Sequence, residues 1–199
     1  MNGKITSGKL LWNLYFSLSM AESMRKLKLE ELNRISVSAF KEAEKHPVVV
    51  ILDNIRSMHN VGSVFRSADA FRVEKMYLCG FTPQPPHREI RKTAIGATES
   101  VDWAYSREIV PVLEELQTSG YRIFAIEQTS LSKPLAEFEA NPEQKYAFIF
   151  GNEVEGVQKT ALEYCEGAIE IRQFGTKHSL NISVAAGIVL YAVVQPLII

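Results

Sequence analysis

Val48-Val49-Val50-Ile51-Leu52 is an unbroken run of branched apolar residues between His46-Pro47 and Asp53-Asn54. Five such residues without alternation predict a strand buried on both faces, as inside a parallel sheet. Similar short apolar runs stand at 76–79, 101–105 with alternation, 121–126, 146–150 and 168–171. Helical patterns fill most gaps, at 61–71, roughly 87–97, 107–118, 157–165 and from Ile182 to the last turn. Strands alternating with helices predict an α/β domain with a mainly parallel sheet and helices on both faces.

A chain of 199 residues has room for one well-filled domain and a short appendage. With no repeat or low-complexity linker, residues 46–199 are expected to form one domain. Residues 24–45 read as an amphipathic extension of one helix or two short ones. Residues 1–23 are expected to be a disordered tail or a start-site artefact. Their apolar stretch at 10–20 raises a signal peptide, but Asn13 interrupts it.

The formal charge of -1 means that a nucleic-acid partner must be held by a local basic patch. Cys79 and Cys165 lie in apolar segments without a CxxC spacing, which predicts reduced thiols and a cytoplasmic protein. The four histidines, His46, His59, His87 and His178, lack metal-ligand spacing, so no metal site is expected. The charge-free final helix is short and rich in Ala, Ser and Gly for a membrane span. It reads as buried by its own sheet on one side and by a partner subunit on the other.

Parallel sheets collect ligands at the carboxyl ends of their strands, so the loops there carry the functional reading. The first, 53–71, has one glycine where a dinucleotide fingerprint needs three, which disfavours a nucleotide-binding oxidoreductase of the Rossmann type. It offers Asn60 at a helix start and Arg66 beyond it. Arg66 reads either as a phosphate clamp or as an ion pair with Asp69, three residues on. The second loop, Gly151-Asn152-Glu153-Val154-Glu155-Gly156, frames two carboxylates between glycines. The third, Gly175 to Asn181, leads into the final helix, which Ser179 or Asn181 can cap.

Asn60-x-Gly62-x-x-x-Arg66-Ser67-Ala68-Asp69, then Gly151-Asn152-Glu153-x-Glu155-Gly156, then Ser179-Leu180-Asn181-Ile182-Ser183 occur in order. Together they resemble the three-motif signature of the SpoU/TrmH branch of the SPOUT RNA 2′-O-ribose methyltransferases, over roughly residues 46–195. The resemblance implies a C-terminal trefoil knot, S-adenosyl-L-methionine as cofactor, and a homodimer built through the C-terminal helix. It implies cofactor contacts at Gly151, Ile171 and Leu180, with Ile126, Gln128 and Thr129 beside them. Arg66 matches the family's catalytic arginine, and Asn60, Glu153, Ser179 and Asn181 match the polar residues around the reacting centre. A guanidinium stays protonated, so Arg66 is read as a clamp on phosphate and developing alkoxide, with a role as base the alternative.

The implied substrate is RNA, with tRNA expected ahead of ribosomal RNA because no sizeable extra N-terminal domain is apparent. Arg25, Lys26 and Lys28, and Arg88, Arg91 and Lys92, are the expected RNA contacts, the other reading being solvated helix faces. Arg172-Gln173 stand where many relatives carry proline and methionine. A knotted RNA-binding or ribosome-assembly protein without catalysis is the second reading, against which Arg66, Glu153 and Asn181 stand intact.

Overall fold

The computed structural model describes residues 25–197, so the expectation for 1–23 lies outside the described residues. Seven strands form one sheet: β1 (His46–Asp53), β2 (Val73–Cys79), β3 (Trp103–Ser106), β4 (Tyr121–Ile126), β5 (Lys133–Pro134), β6 (Lys145–Phe150) and β7 (Gly167–Glu170). Their order is β3-β2-β1-β6-β4-β7-β5, and all neighbours are parallel. The helices are α1 (Val37–Glu42), α2 (Met58–Ala70), α3 (Arg88–Ala94), α4 (Ala97–Ser100), α5 (Val110–Thr118), α6 (Lys159–Leu162) and α7 (Ile182–Val194).

The period-2 geometry of a strand sends successive side chains of β1 to opposite faces. Val48, Val50 and Leu52 join a core with Phe148, Phe150, the inner faces of α2 and α3, and Ala186, Val189, Leu190 and Val193 of α7. Val49 and Ile51 join a second core with Ile123, Ile149, and Val112, Leu113 and Leu116 of α5. Both faces are covered, which is why the run at 48–52 has no polar alternation.

β6 enters the sheet between β1 and β4, and β7 between β4 and β5, after both neighbours have already been laid down in chain order. That interleaving is consistent with the C-terminal knot implied by the resemblance.

Two local features differ from the sequence expectation, and one alternative is decided. The helix expected over 87–97 is two helices, because Ile95 (φ 49) and Gly96 (φ 89) both turn left-handed between α3 and α4. β5 is a two-residue edge strand containing a proline, too short to leave a pattern. The segment 24–45 is realised in its two-piece form, a 3-10 turn at Leu29–Leu32 ended by left-handed Asn33, then α1.

The chain divides into two compact units, Met1–Ser36 and Val37–Ile199. In the described part of the first, the Arg25 guanidinium donates to both Glu31 carboxylate oxygens at 2.6 and 2.9 Å. Both cysteines are free: Cys79 is buried, which pushes its thiol up to about 12, and Cys165 is half-buried. No described helix is long and apolar enough to cross a membrane.

Candidate active site

The ends of β4, β6 and β7 and the start of α7 open on one cavity of about 490 Å³. Its apolar wall is Ile126, Phe150, Ile169, Ile171, Leu180, Ile182 and Ala185. Its polar wall includes Glu127, Gln128, Glu153, Glu170, Ser179 and Asn181.

The loop after β6 is folded tightly by its own sequence. Asn152 and Gly156 exchange backbone hydrogen bonds of 3.0 and 2.9 Å, and Asn152 Oδ1 accepts from the N–H groups of Val154 and Glu155. Gly156 is left-handed (φ 71), and a Cβ there would lie 2.2 Å from Glu127 Oε2. A Cβ on Gly151 would lie 2.2 Å from the Gly156 carbonyl carbon, so Gly151 leaves no room for a side chain, while at Gly156 a side chain would be strained and would displace the Glu127 carboxylate. Glu127 clamps the loop from β4, its Oε2 accepting from Val157 N–H at 3.0 Å and its Oε1 from Gln128 N–H at 2.9 Å.

A chain of side-chain hydrogen bonds ties the three separated loops together. Asn181 Nδ2 donates to Asn60 Oδ1 at 3.1 Å, and Asn60 Nδ2 donates to Glu153 Oε1 at 3.1 Å. Glu153 also accepts from the backbone N–H groups of Arg56 (3.0 Å) and Ser57 (3.2 Å). Burial by itself would raise the Glu153 carboxyl, but these donors outweigh it and hold the group below the ordinary carboxylate range. Asn181 is the cap of α7, its Oδ1 accepting from Ser183 N–H at 2.9 Å and Ser183 Oγ at 2.7 Å. The positive end of α7 therefore faces the cavity.

Beneath the loops, Asp53 is fully buried at the end of β1. Its Oδ1 accepts from Gln158 Nε2 (2.7 Å) and Asn54 Nδ2 (3.0 Å), while Oδ2 has no partner, and burial raises its pKa. Asn152 Nδ2 donates to Asn54 O at 2.7 Å, fastening the second loop to the first.

Of the residues singled out from sequence, Ile126, Gln128, Gly151, Glu153, Ile171, Ser179, Leu180 and Asn181 line the cavity, and Asn60 bonds to two of them. Thr129 does not: its N–H turns to Ser132 Oγ at 3.3 Å, closing a turn outside the lining. Arg66 stands six residues along α2 from Asn60, about 9 Å along the axis, exposed and outside the lining. The alternative pair with Asp69 is absent, since Asp69 instead accepts from Ser100 Oγ.

The expected RNA contacts part company. Arg88, Arg91 and Lys92 line a second cavity of about 490 Å³ with His87, Gly96 and Thr98. Arg25, by contrast, is occupied by Glu31, while Lys26 and Lys28 are exposed. Glu127 and His178 also line the first cavity: Glu127 belongs to the loop 126–129 that the resemblance sets beside the cofactor, and the signal for His178 is only that it directly precedes Ser179. Among the described residues no group of three or more His, Cys, Asp or Glu is placed to hold a metal ion.

The family model of the SpoU rRNA Methylase family matches residues 47–191. A 23S rRNA (guanosine-2′-O-)-methyltransferase of Neisseria meningitidis serogroup B is 32% identical over 144 residues, which cover 72% of this chain and 56% of the relative. The chain thus spans little more than half the length of that relative. A tRNA (guanosine(18)-2′-O)-methyltransferase of Aquifex aeolicus is 31% identical over 154 residues, 75% of this chain and 70% of the relative. The crystal structure of the A. aeolicus TrmH/SpoU tRNA modifying enzyme superposes with a TM-score of 0.71 at 25% identity, covering 85% of this chain and 84% of that one. The matched span begins at the foot of β1 and ends in α7, taking in every strand and all three of the loops joined through Asn60, and on that ground the chain belongs to the SpoU rRNA Methylase family.

Proposed function

We propose that this protein is an S-adenosyl-L-methionine-dependent RNA methyltransferase that modifies a ribose 2′-hydroxyl, with tRNA the leading substrate and ribosomal RNA the second. The observation that carries the reading is the hydrogen-bonded chain Asn181–Asn60–Glu153 at the rim of a half-apolar cavity. The cavity fits the cofactor's chemistry: Ile126, Phe150, Ile171 and Leu180 suit an adenine ring, and Glu170 and Gln128 suit hydroxyl and amine groups. Gly151 and Gly156 let the loop close against Val157 and Glu127, which fixes the wall of the cavity.

When bound, the cofactor supplies a methyl group already activated on a sulfonium. What remains for the protein is to align the ribose and to dispose of one proton. The amides of Asn60 and Asn181 hold each other and the Glu153 carboxylate in fixed positions, which spares reorganisation when a ribose docks. Ser179 Oγ makes no hydrogen bond among the described residues and faces the cavity, available to the acceptor hydroxyl. Arg66 acts as the clamp on the RNA phosphate and the developing alkoxide.

The working form is a homodimer through α7. Val184, Ile188 and Tyr191 form an exposed apolar stripe on a helix whose other sides are buried, the arrangement a second copy would cover. α2 packs beside α7, with Phe71 and Tyr191 edge to face at 6.3 Å, and Arg66 is exposed on α2 outside its own chain's cavity.

The test is transfer of labelled methyl from S-adenosylmethionine to tRNA and to ribosomal RNA, with calorimetric binding of the cofactor compared with NAD. Arg66→Ala is expected to abolish transfer and keep cofactor affinity. Binding of NAD but not S-adenosylmethionine, or undiminished single-turnover methylation by Arg66→Ala, would overturn the respective assignments.

A further inference from the structure

Loop 172–178 leaves the end of β7 and returns to the entrance of α7, and on it Phe174 is 94% exposed, more than any other large apolar side chain described. A lone exposed apolar residue needs no explanation, but its surroundings here are specific. A third cavity, of about 320 Å³, lies at this loop and shares Gln128, Glu170, Ile171, Gln173 and His178 with the first. Arg172 and Lys177 flank Phe174 in the chain and line the same hollow. Lys177 forms no ion pair among the described residues, and Arg172 meets only Glu137, at 3.5 Å with both groups exposed, a contact easily given up. The loop's far end is pinned, because Gln128 Nε2 donates to His178 O at 2.9 Å.

We propose that Phe174 is a stacking platform for a nucleobase of the RNA next to the methylated ribose, with Arg172 and Lys177 taking the flanking phosphates. The chemistry is that of single-stranded RNA recognition, in which an unstacked base lies on an aromatic face beside cationic side chains. A ribose at Ser179 and Asn181 puts its own or the adjoining base toward this hollow, since the two cavities meet along Gln173 and His178. The proposal rests on the methyltransferase reading.

Phe174→Ala is expected to raise KM for RNA at least about tenfold, the scale of one lost base stack, while cofactor Kd stays within about twofold; Phe174→Tyr restores KM. In Phe174→Trp, the added emission should be quenched by a single-stranded RNA oligonucleotide and not by inorganic polyphosphate at matched charge. An unchanged KM in Phe174→Ala, or equal quenching by polyphosphate, overturns the platform. If RNA quenches Phe174→Trp selectively but the parent chain transfers no methyl group to any RNA, stacking stands and the methyltransferase reading falls.

Discussion

The loops around the first cavity and the N-terminal unit both carry charged and amide side chains, yet spend them differently. Around the cavity, Asn60 reaches Glu153 across 93 positions of sequence and Asn181 reaches Asn60 across 121. In the N-terminal unit Arg25 reaches Glu31 across six, and Lys28 N–H reaches the same Glu31 across three. Long-range pairs fix the relative position of distant loops and exist only in the folded domain. Local pairs at the surface shape one turn and are cheap to lose. Polar residues near the cavity are thus architectural as well as chemical.

The largest expected contrast is between glycines. Gly151→Ala forces a Cβ onto the backbone of Gly156 and Val157, which should cost about 3 kcal/mol or more and take cofactor binding below detection. Gly96→Ala, on the basic edge, meets nothing within 4 Å and carries only left-handed strain, about 1 kcal/mol. Thermal unfolding and calorimetry of both variants test the difference, and equal losses would break it.

Next comes Asn181→Ala, which removes the α7 cap and the partner of Asn60 and should cost about 1–2 kcal/mol. Lys28→Ala should stay within about 0.5 kcal/mol in the same denaturant titration.

A smaller effect is the pH response of Glu153. Its folded pKa is depressed, so its contribution is present above its unfolded pKa and disappears as pH falls through the lower folded value. Urea unfolding of the parent should therefore lose stability on acidification below the ordinary carboxylate range. Glu153→Gln should be less stable at neutral pH and lose less on acidification; parallel curves would remove Glu153 from the framework.

Smallest is the ionic contribution of the basic edge. Arg88→Ala should reduce the slope of log affinity for RNA against log salt by about one, and Arg25→Ala, whose charge is already engaged by Glu31, by less. Filter binding across a salt series reads both.

Most of the fold was legible because burial on both faces leaves a mark: the runs at 48–52 and 146–150 are apolar for that reason. β5 was not, since two edge residues carry no periodicity, and the break at Ile95 was not, since a β-branched residue in a left-handed turn defies local preference. At the site, the motifs brought together Asn60, Glu153 and Asn181, but no spacing rule foretold that Asn60 would sit between the other two. Thr129 lies outside the lining because a strand end marks where a loop begins, and not how soon it turns away. Glu127, one residue past β4, shows the same rule succeeding.

The late insertion of β6 and β7 between strands already in place has a kinetic meaning. Val48 must wait for Tyr146, roughly a hundred residues downstream, before the middle of the sheet closes, and closures over such spans are slow. Until then the apolar edges of β1 and β4 stand open to neighbouring chains. Recovery from denaturant should accordingly be sluggish and concentration-sensitive, a cost built into the same strand order that brings the three loops to one rim.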